Sequence, residues 1–114
     1  MDYFKGINIA VTVSDKDGNV IYQNDSSIEV NGDARGRNLE QCHNSKSWEM
    51  ICRMMKEDVS NVYTISKKGK KKLIYQTPWY DDNEEVNGEN QRKPAGLVEF
   101  SIILPEEMPH FIRS

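Results

Sequence analysis

Few side chains in this chain come in combinations that do chemistry, and the sharpest candidate is His43, preceded directly by Cys42. A neutral imidazole can ligate haem iron, and a thiol next to a histidine has the outline of a nucleophile with its base. Neighbours in a helical turn diverge by about 100°, however, so Cys42 and His43 do not face one another. Three roles stay open for His43: a structural one, capping a helix end or donating to a backbone carbonyl; contact with a ligand or haem; and a catalytic one. Cys42 and Cys52 are ten residues apart with no Cys-x-x-Cys pair, which indicates neither a disulfide framework nor a zinc site. The plain role of each is a small buried hydrophobe. His110 has less support than His43. No paired carboxylates, metal-ligand spacing or nucleophile–base motif occurs, so an enzyme is not expected.

Composition narrows the partners. A chain of 114 residues reads as a single domain, 1–114, large enough to bury about two-thirds of its unfolded surface. A net charge of −3 disfavours nucleic acid, whose phosphates draw on a basic stripe. The local exception is Lys67-Lys-Gly-Lys-Lys-Lys72 with five lysines; it reads as a solvated hairpin tip or as a docking surface for an acidic partner. No apolar run is long enough to cross a bilayer and no secretory signal opens the chain, so no membrane partner and a cytoplasmic location are expected.

The elements that would position these residues follow from periodicity. Ile7, Ile9, Val11 and Val13 alternate with polar or small residues as in a strand buried on one face. Asp15-Lys-Asp-Gly18 supplies a turn, Val20 to Gln23 a second strand, and Asn24-Asp-Ser-Ser the oxygens to cap a short helix. Asn38 to His43 reads as a short helical turn. Asn44 or Ser45 then caps a longer helix whose apolar stripe is Trp48, Ile51, Cys52, Met55 and Val59. Extended segments follow at Asn61–Ser66, Lys72–Tyr80 and Ala95–Leu104, with a long polar loop over Asp81–Lys93. The order predicts one antiparallel α+β domain. In the last strand Val98, Phe100, Ile102 and Leu104 mark the expected core face.

The run from Ile7 to Leu104 resembles a PAS domain. Asp15-Lys-Asp-Gly-Asn-Val-Ile-Tyr-Gln-Asn24 is similar to the opening hairpin of that family, and Gly36-Arg-Asn-Leu, the long helix and three closing strands ending Gly96-Leu-Val-Glu-Phe-Ser are similar to the rest. Gly36 to Ser47 also resembles a segment of the PAS-type domains attached to hemerythrin-like bacterial regulators. The resemblance implies a single domain with a core of about residues 7–104 and a tail over 105–114. It further implies a five-stranded antiparallel sheet with short helices and one longer helix on one face, often a small-molecule or cofactor pocket, and dimers through the outer sheet face or flanking helices. The flavin-attachment motif of the light-sensing branch is absent, since Cys42 is followed by His43, so a flavin adduct is not expected. No kinase, cyclase or DNA-binding segment follows Leu104, so output is expected through another protein.

A ligand in such a pocket would meet His43, Trp48, Ile51, Met55, Tyr75 and Trp79. The penultimate strand divides Leu73, Tyr75, Thr77 and Trp79 from Ile74, Gln76, Pro78 and Tyr80, with apolar bulk on both faces. One face must lie outside. With Ile74, Tyr80, Leu97 and Ile103 assigned to it, a homodimer or a separate signalling protein is expected there, unless Tyr3-Phe4 or the tail Met108-Pro-His-Phe-Ile112 covers it. The resulting expectation is a bacterial, non-enzymatic sensory or interaction module that binds a small ligand or a protein and signals through association. The alternatives are a haem sensor using His43 and a plain dimerisation module with a filled core.

Overall fold

The computed structural model describes residues 1–42, 44–81 and 93–114, Cys42 by its backbone alone. Strand β1 (Ala10–Asp15) turns into β2 (Val20–Gln23). Asp15 shapes the turn: its Oδ1 accepts from the N–H groups of Asp17 and Asn19, each at 2.9 Å. Gly18 sits there at φ 86°, a backbone conformation that side chains disfavour. Burial pushes the Asp15 carboxyl up, but the hydrogen bonds from Asn19, Asp17 and Gly18 outweigh it and hold the group below the usual carboxylate value.

Asn24 ends β2 and caps helix α1 (Asp25–Asn31) by accepting from the Ser27 N–H at 3.1 Å. The same oxygen accepts from Val11 N–H at 2.9 Å, while Nδ2 donates to the carbonyls of Phe4 at 2.8 Å and Ile9 at 2.7 Å. Ser26 takes the Ile7 carbonyl at 2.7 Å. Ile7 and Ile9 therefore precede the first strand instead of opening it, because their carbonyls are drawn to the start of α1.

Helix α2 (Leu39–Cys42) is short. Asn44, not Ser45, caps α3 (Ser45–Glu57), accepting from Ser47 N–H at 2.9 Å, and Asp58 closes that helix in the left-handed conformation. Strands β3 (Asn61–Lys67), β4 (Lys70–Trp79) and β5 (Gly96–Ile103) complete one antiparallel sheet in the order β2-β1-β5-β4-β3. The expected five-stranded α+β architecture is the one observed. Of the polar stretch over Asp81–Lys93, residues 82–92 lie outside the described residues.

The helices cover the face opposite to the one expected. Thr12 shares a 2.6 Å hydrogen bond with Ser27 of α1, and Leu97 packs with Ile51 and Met54 of α3. The register Thr12↔Glu99↔Gln76 and Ser14↔Leu97↔Pro78 then places Ala10, Thr12, Ser14, Ile74, Gln76, Pro78, Leu97, Glu99, Ser101 and Ile103 on the helix side. Val98, Phe100 and Ile102, with Leu73, Tyr75 and Trp79, form the outer face. The reason is that the inner face is held by polar contacts as much as by apolar burial. Gln23 Nε2 donates to Ser27 Oγ at 2.9 Å and to Gly32 O at 3.1 Å, its Oε1 accepts from Ala34 N–H at 2.7 Å, and Asn61 Nδ2 donates to Gln76 at 3.1 Å. Hydrophobicity alone therefore ranks the two faces the wrong way round. In α3 the buried pair is Ile51 and Met54, flanked by half-buried Trp48 and Met55; Cys52 is exposed, and Val59 lies beyond the helix end.

Two tests follow. Asn24→Ala removes the partners of two buried N–H groups and two carbonyls, and should lower stability by about 3 kcal/mol, read as a reduced urea midpoint with unchanged m. Asp15 has a folded pKa below its unfolded value of about 3.9, so its contribution is present above that pH and is lost as pH falls through the lower folded value. The stability gap between wild type and Asp15→Asn should accordingly shrink in urea titrations below about pH 4.

Candidate functional site

Helix α3 sits at one end of the inner face, over Leu97, and leaves the other end open. There a pocket of about 140 Å³ lies between the last turn of α1 and the sheet. Ala10, Ser101 and Ile74 lie side by side across β1, β5 and β4 and make its floor, and Tyr63 and Ile65 of β3 line it together with Val30 of α1. Lys67, Lys72 and Glu99 bring charge to it. Burial and the nearby Glu99 carboxylate push the Tyr63 phenol up, so it stays a neutral hydroxyl at ordinary pH. The Thr12 hydroxyl, also lining the pocket, is already engaged by Ser27. These groups can hold a small molecule with an apolar body and a charged or hydrogen-bonding end. Among the described residues, no group of three His, Cys, Asp or Glu side chains is placed to hold a metal ion.

The residues expected to meet a ligand do not converge here. Trp48, Ile51 and Met55 pack together with Met54, Leu39 and Leu97 as the apolar core beneath α3. Tyr75 and Trp79 lie across the sheet from them. The Trp79 indole crosses Gly96 and donates to the Ser14 carbonyl at 2.8 Å. His43 lies outside the described residues.

The set expected at an outer interface is likewise on the helix side. Ile74 is 5% exposed and Leu97 4%, which closes both to a partner in this structure. Tyr80 donates to the Asp58 carboxylate at the end of α3, and Ile103 is 52% exposed at the open end of the same face. The outer face is the one that carries Leu73, Tyr75, Trp79, Val98, Phe100 and Ile102. Tyr75 is 39% exposed there and the others are half-buried. Tyr3, Phe4, Met108, Phe111 and Ile112 all leave more than half of their own surface in solvent, while on the β1–β2 side of this face Tyr22 donates to Asp2 of the N-terminal arm and Val11 is 3% exposed. The pocket residues Tyr63 and Ile65 were missed in the sequence because β3 reads as an ordinary strand. Their one signal is a bulky apolar residue on each side of Thr64.

No family model matches the chain, and no curated protein matches it. A solved structure does: the crystal structure of the PAS domain of a protein from Colwellia psychrerythraea, with a TM-score of 0.61 at 17% sequence identity, covering 91% of this chain and 92% of that one. The chain has a PAS-like fold. Within this PAS-like fold the pocket opens beside the edge strand β3. No helix of the described residues is long and apolar enough to cross a membrane.

Gly96 ties the outer face to the strand register. A Cβ at this position would come within 1.9 Å of the Ser14 carbonyl and 2.2 Å of Trp79 Nε1. Gly96→Ala should therefore cost at least about 2 kcal/mol and expel the indole from Ser14, measured by chemical denaturation and by a red shift of tryptophan emission in the folded state.

Proposed function

We propose that this domain is a non-enzymatic sensory and interaction module of a cytoplasmic bacterial signalling system, in which a small molecule held in the pocket between α1 and β3–β5 biases association with a protein partner. The observation that carries this reading is the asymmetry of the inner face, packed under α3 at one end and open at the other, with Tyr63, Ile65 and Ile74 beside Lys67, Lys72 and Glu99. A ligand shifts such an association only by its differential affinity for the two states. Tyr63 and Ile65 belong to the edge strand, so a bound molecule touches an element whose other side is free to meet a partner.

The test is a native mass spectrum of the protein purified without additions, followed by thermal denaturation against small carboxylates, amines and amino acids. A ligand at ten times its Kd contributes about 1.4 kcal/mol, a rise in Tm of about 6 °C at this size. Ser101→Trp, which fills the floor of the pocket, should abolish that rise. A protein at its bare mass whose Tm ignores every compound would sink the reading. The visible spectrum of the same sample reads out the haem alternative at His43.

The outer face favours a second reading, a plain association module in which Leu73, Tyr75, Trp79 and Phe100 meet a signalling protein without any ligand. It is supported by the apolar side chains that β4 and β5 carry on this face, Tyr75 among them 39% exposed. Tyr75→Lys should then abolish signalling output in cells while leaving ligand-induced Tm shifts intact.

A further inference from the structure

The edge strand β3 is built for pairing and has no described neighbour on its outer side. Natural sheets blunt such edges with proline, bulges, inward charges or short strands. Over Asn61–Lys67 there is no proline, the seven-residue pairing with β4 runs without a bulge, and the only charge is the terminal Lys67. Val62, Tyr63 and Ile65 are all exposed. This is a regular ladder edge, charged at its last residue alone and carrying three large apolar side chains, a combination that calls for a second strand.

We infer that the occupant is β3 of a second copy, paired antiparallel about a two-fold axis through Thr64. A two-fold perpendicular to the sheet keeps inner side chains opposite inner ones, so the axis must pass through a residue and not between two. Only Thr64 as that residue pairs all seven positions: Tyr63 of each copy lies beside Ile65 of the other, Val62 beside Ser66, and Asn61 beside Lys67. The Tyr63–Ile65 contacts are aromatic–aliphatic cross-strand pairs, which stabilise antiparallel sheets. No like charges face each other.

Charge selects the same arrangement. Antiparallel pairing carries the Lys68–Lys70 tip of each copy towards Glu57 and Asp58, at the end of α3 just before β3 in the other. These carboxylates also serve Arg53 at 2.9 Å and the Tyr80 hydroxyl. A two-fold contact closes on itself, so the product is a finite dimer with a continuous ten-stranded sheet (two five-stranded sheets joined) and not a fibre. Tyr63 and Ile65 also line the pocket, so the two pockets flank the axis. The inference deepens the association half of the proposed function, but it stands or falls without a ligand.

Sedimentation velocity on the full chain tests it, with Thr64→Lys, which sets two ammonium groups against each other on the axis, and Tyr75→Lys on the outer face. The expected result is a concentration-dependent dimer that Thr64→Lys weakens at least about tenfold and Tyr75→Lys leaves unchanged. Thr64→Cys in a Cys42→Ser, Cys52→Ser background should cross-link to a disulfide dimer under mild oxidation, because residues opposed on the axis have Cα atoms about 4.5–5.5 Å apart. Thermal unfolding of Thr64→Lys near the wild-type Tm at low concentration shows that the monomer still folds. A dimer that survives Thr64→Lys and is lost in Tyr75→Lys would overturn edge pairing in favour of the outer face. A wild type that stays monomeric up to about 1 mM would overturn it altogether, while ligand-induced Tm shifts in the same protein would leave the sensory reading standing.

Discussion

The side-chain amide of Asn24 is the interaction on which the rest of this structure depends. It satisfies four backbone groups from three segments: the N–H of Val11 in β1, the N–H of Ser27 in α1, and the carbonyls of Phe4 and Ile9 in the N-terminal arm. A buried amide with both donors and its acceptor fully used is rigid, because any displacement leaves a buried polar group unpaired. Asn24 thereby sets where β1 begins, where α1 begins and how far apart they lie. Ser27 is fixed in turn and reaches both Thr12 and Gln23, which draws α1 down onto the sheet through polar contacts. The helix side of β1 is for that reason a hydrogen-bonded floor, and the apolar core is displaced towards α3.

Two tryptophans hold the end of the sheet where that core sits, one on each face. Trp48 of α3 lies against Gly18 in the β1–β2 turn, so close that a Cβ at Gly18 would come within 2.6 Å of its ring. Trp79 lies across Gly96 on the opposite face. Gly96 pairs with Asp15, the residue that organises the turn containing Gly18. The turn, the start of β5 and the end of β4 are therefore gripped from both sides by indole rings that only glycine admits. Nothing equivalent occurs among the described residues at the other end, where β3 and β4 meet through Lys68 and Gly69, and the pocket and the free edge are both found there.

The order of elements was legible from the residues, because turn and cap chemistry are local. Asp15, Gly18, Asn24 and Asn44 act on backbone within a few positions of themselves, and they hold the turn and cap positions their types suggest. Which sheet face points inward was not legible, because it is decided by contacts distant in sequence. Val98, Phe100 and Ile102 are more apolar than Leu97, Glu99 and Ser101, yet the second set faces the helices, since Ser27, Gln23 and Asn61 supply partners for the polar groups on that side. The ligand and interface expectations rested on the face assignment and moved with it. Ile74, expected at an outer surface, is instead part of the pocket floor. Met54, the most buried residue of α3, was overlooked because the stripe through Cys52 and Val59 fits helical spacing equally well.

The double tryptophan grip gives thermal motion in this domain a direction. Near Pro78 the strands are gripped by the indoles as well as by their ladders, whereas towards Lys70 the ladders alone hold them, β4 to β5 through Lys72↔Ile103, and local opening is cheapest where such contacts are fewest. Such a molecule breathes like a book held at its spine. The pages part at the end where the pocket lies, and β3, the outermost of them, has a ladder on one side only to hold it.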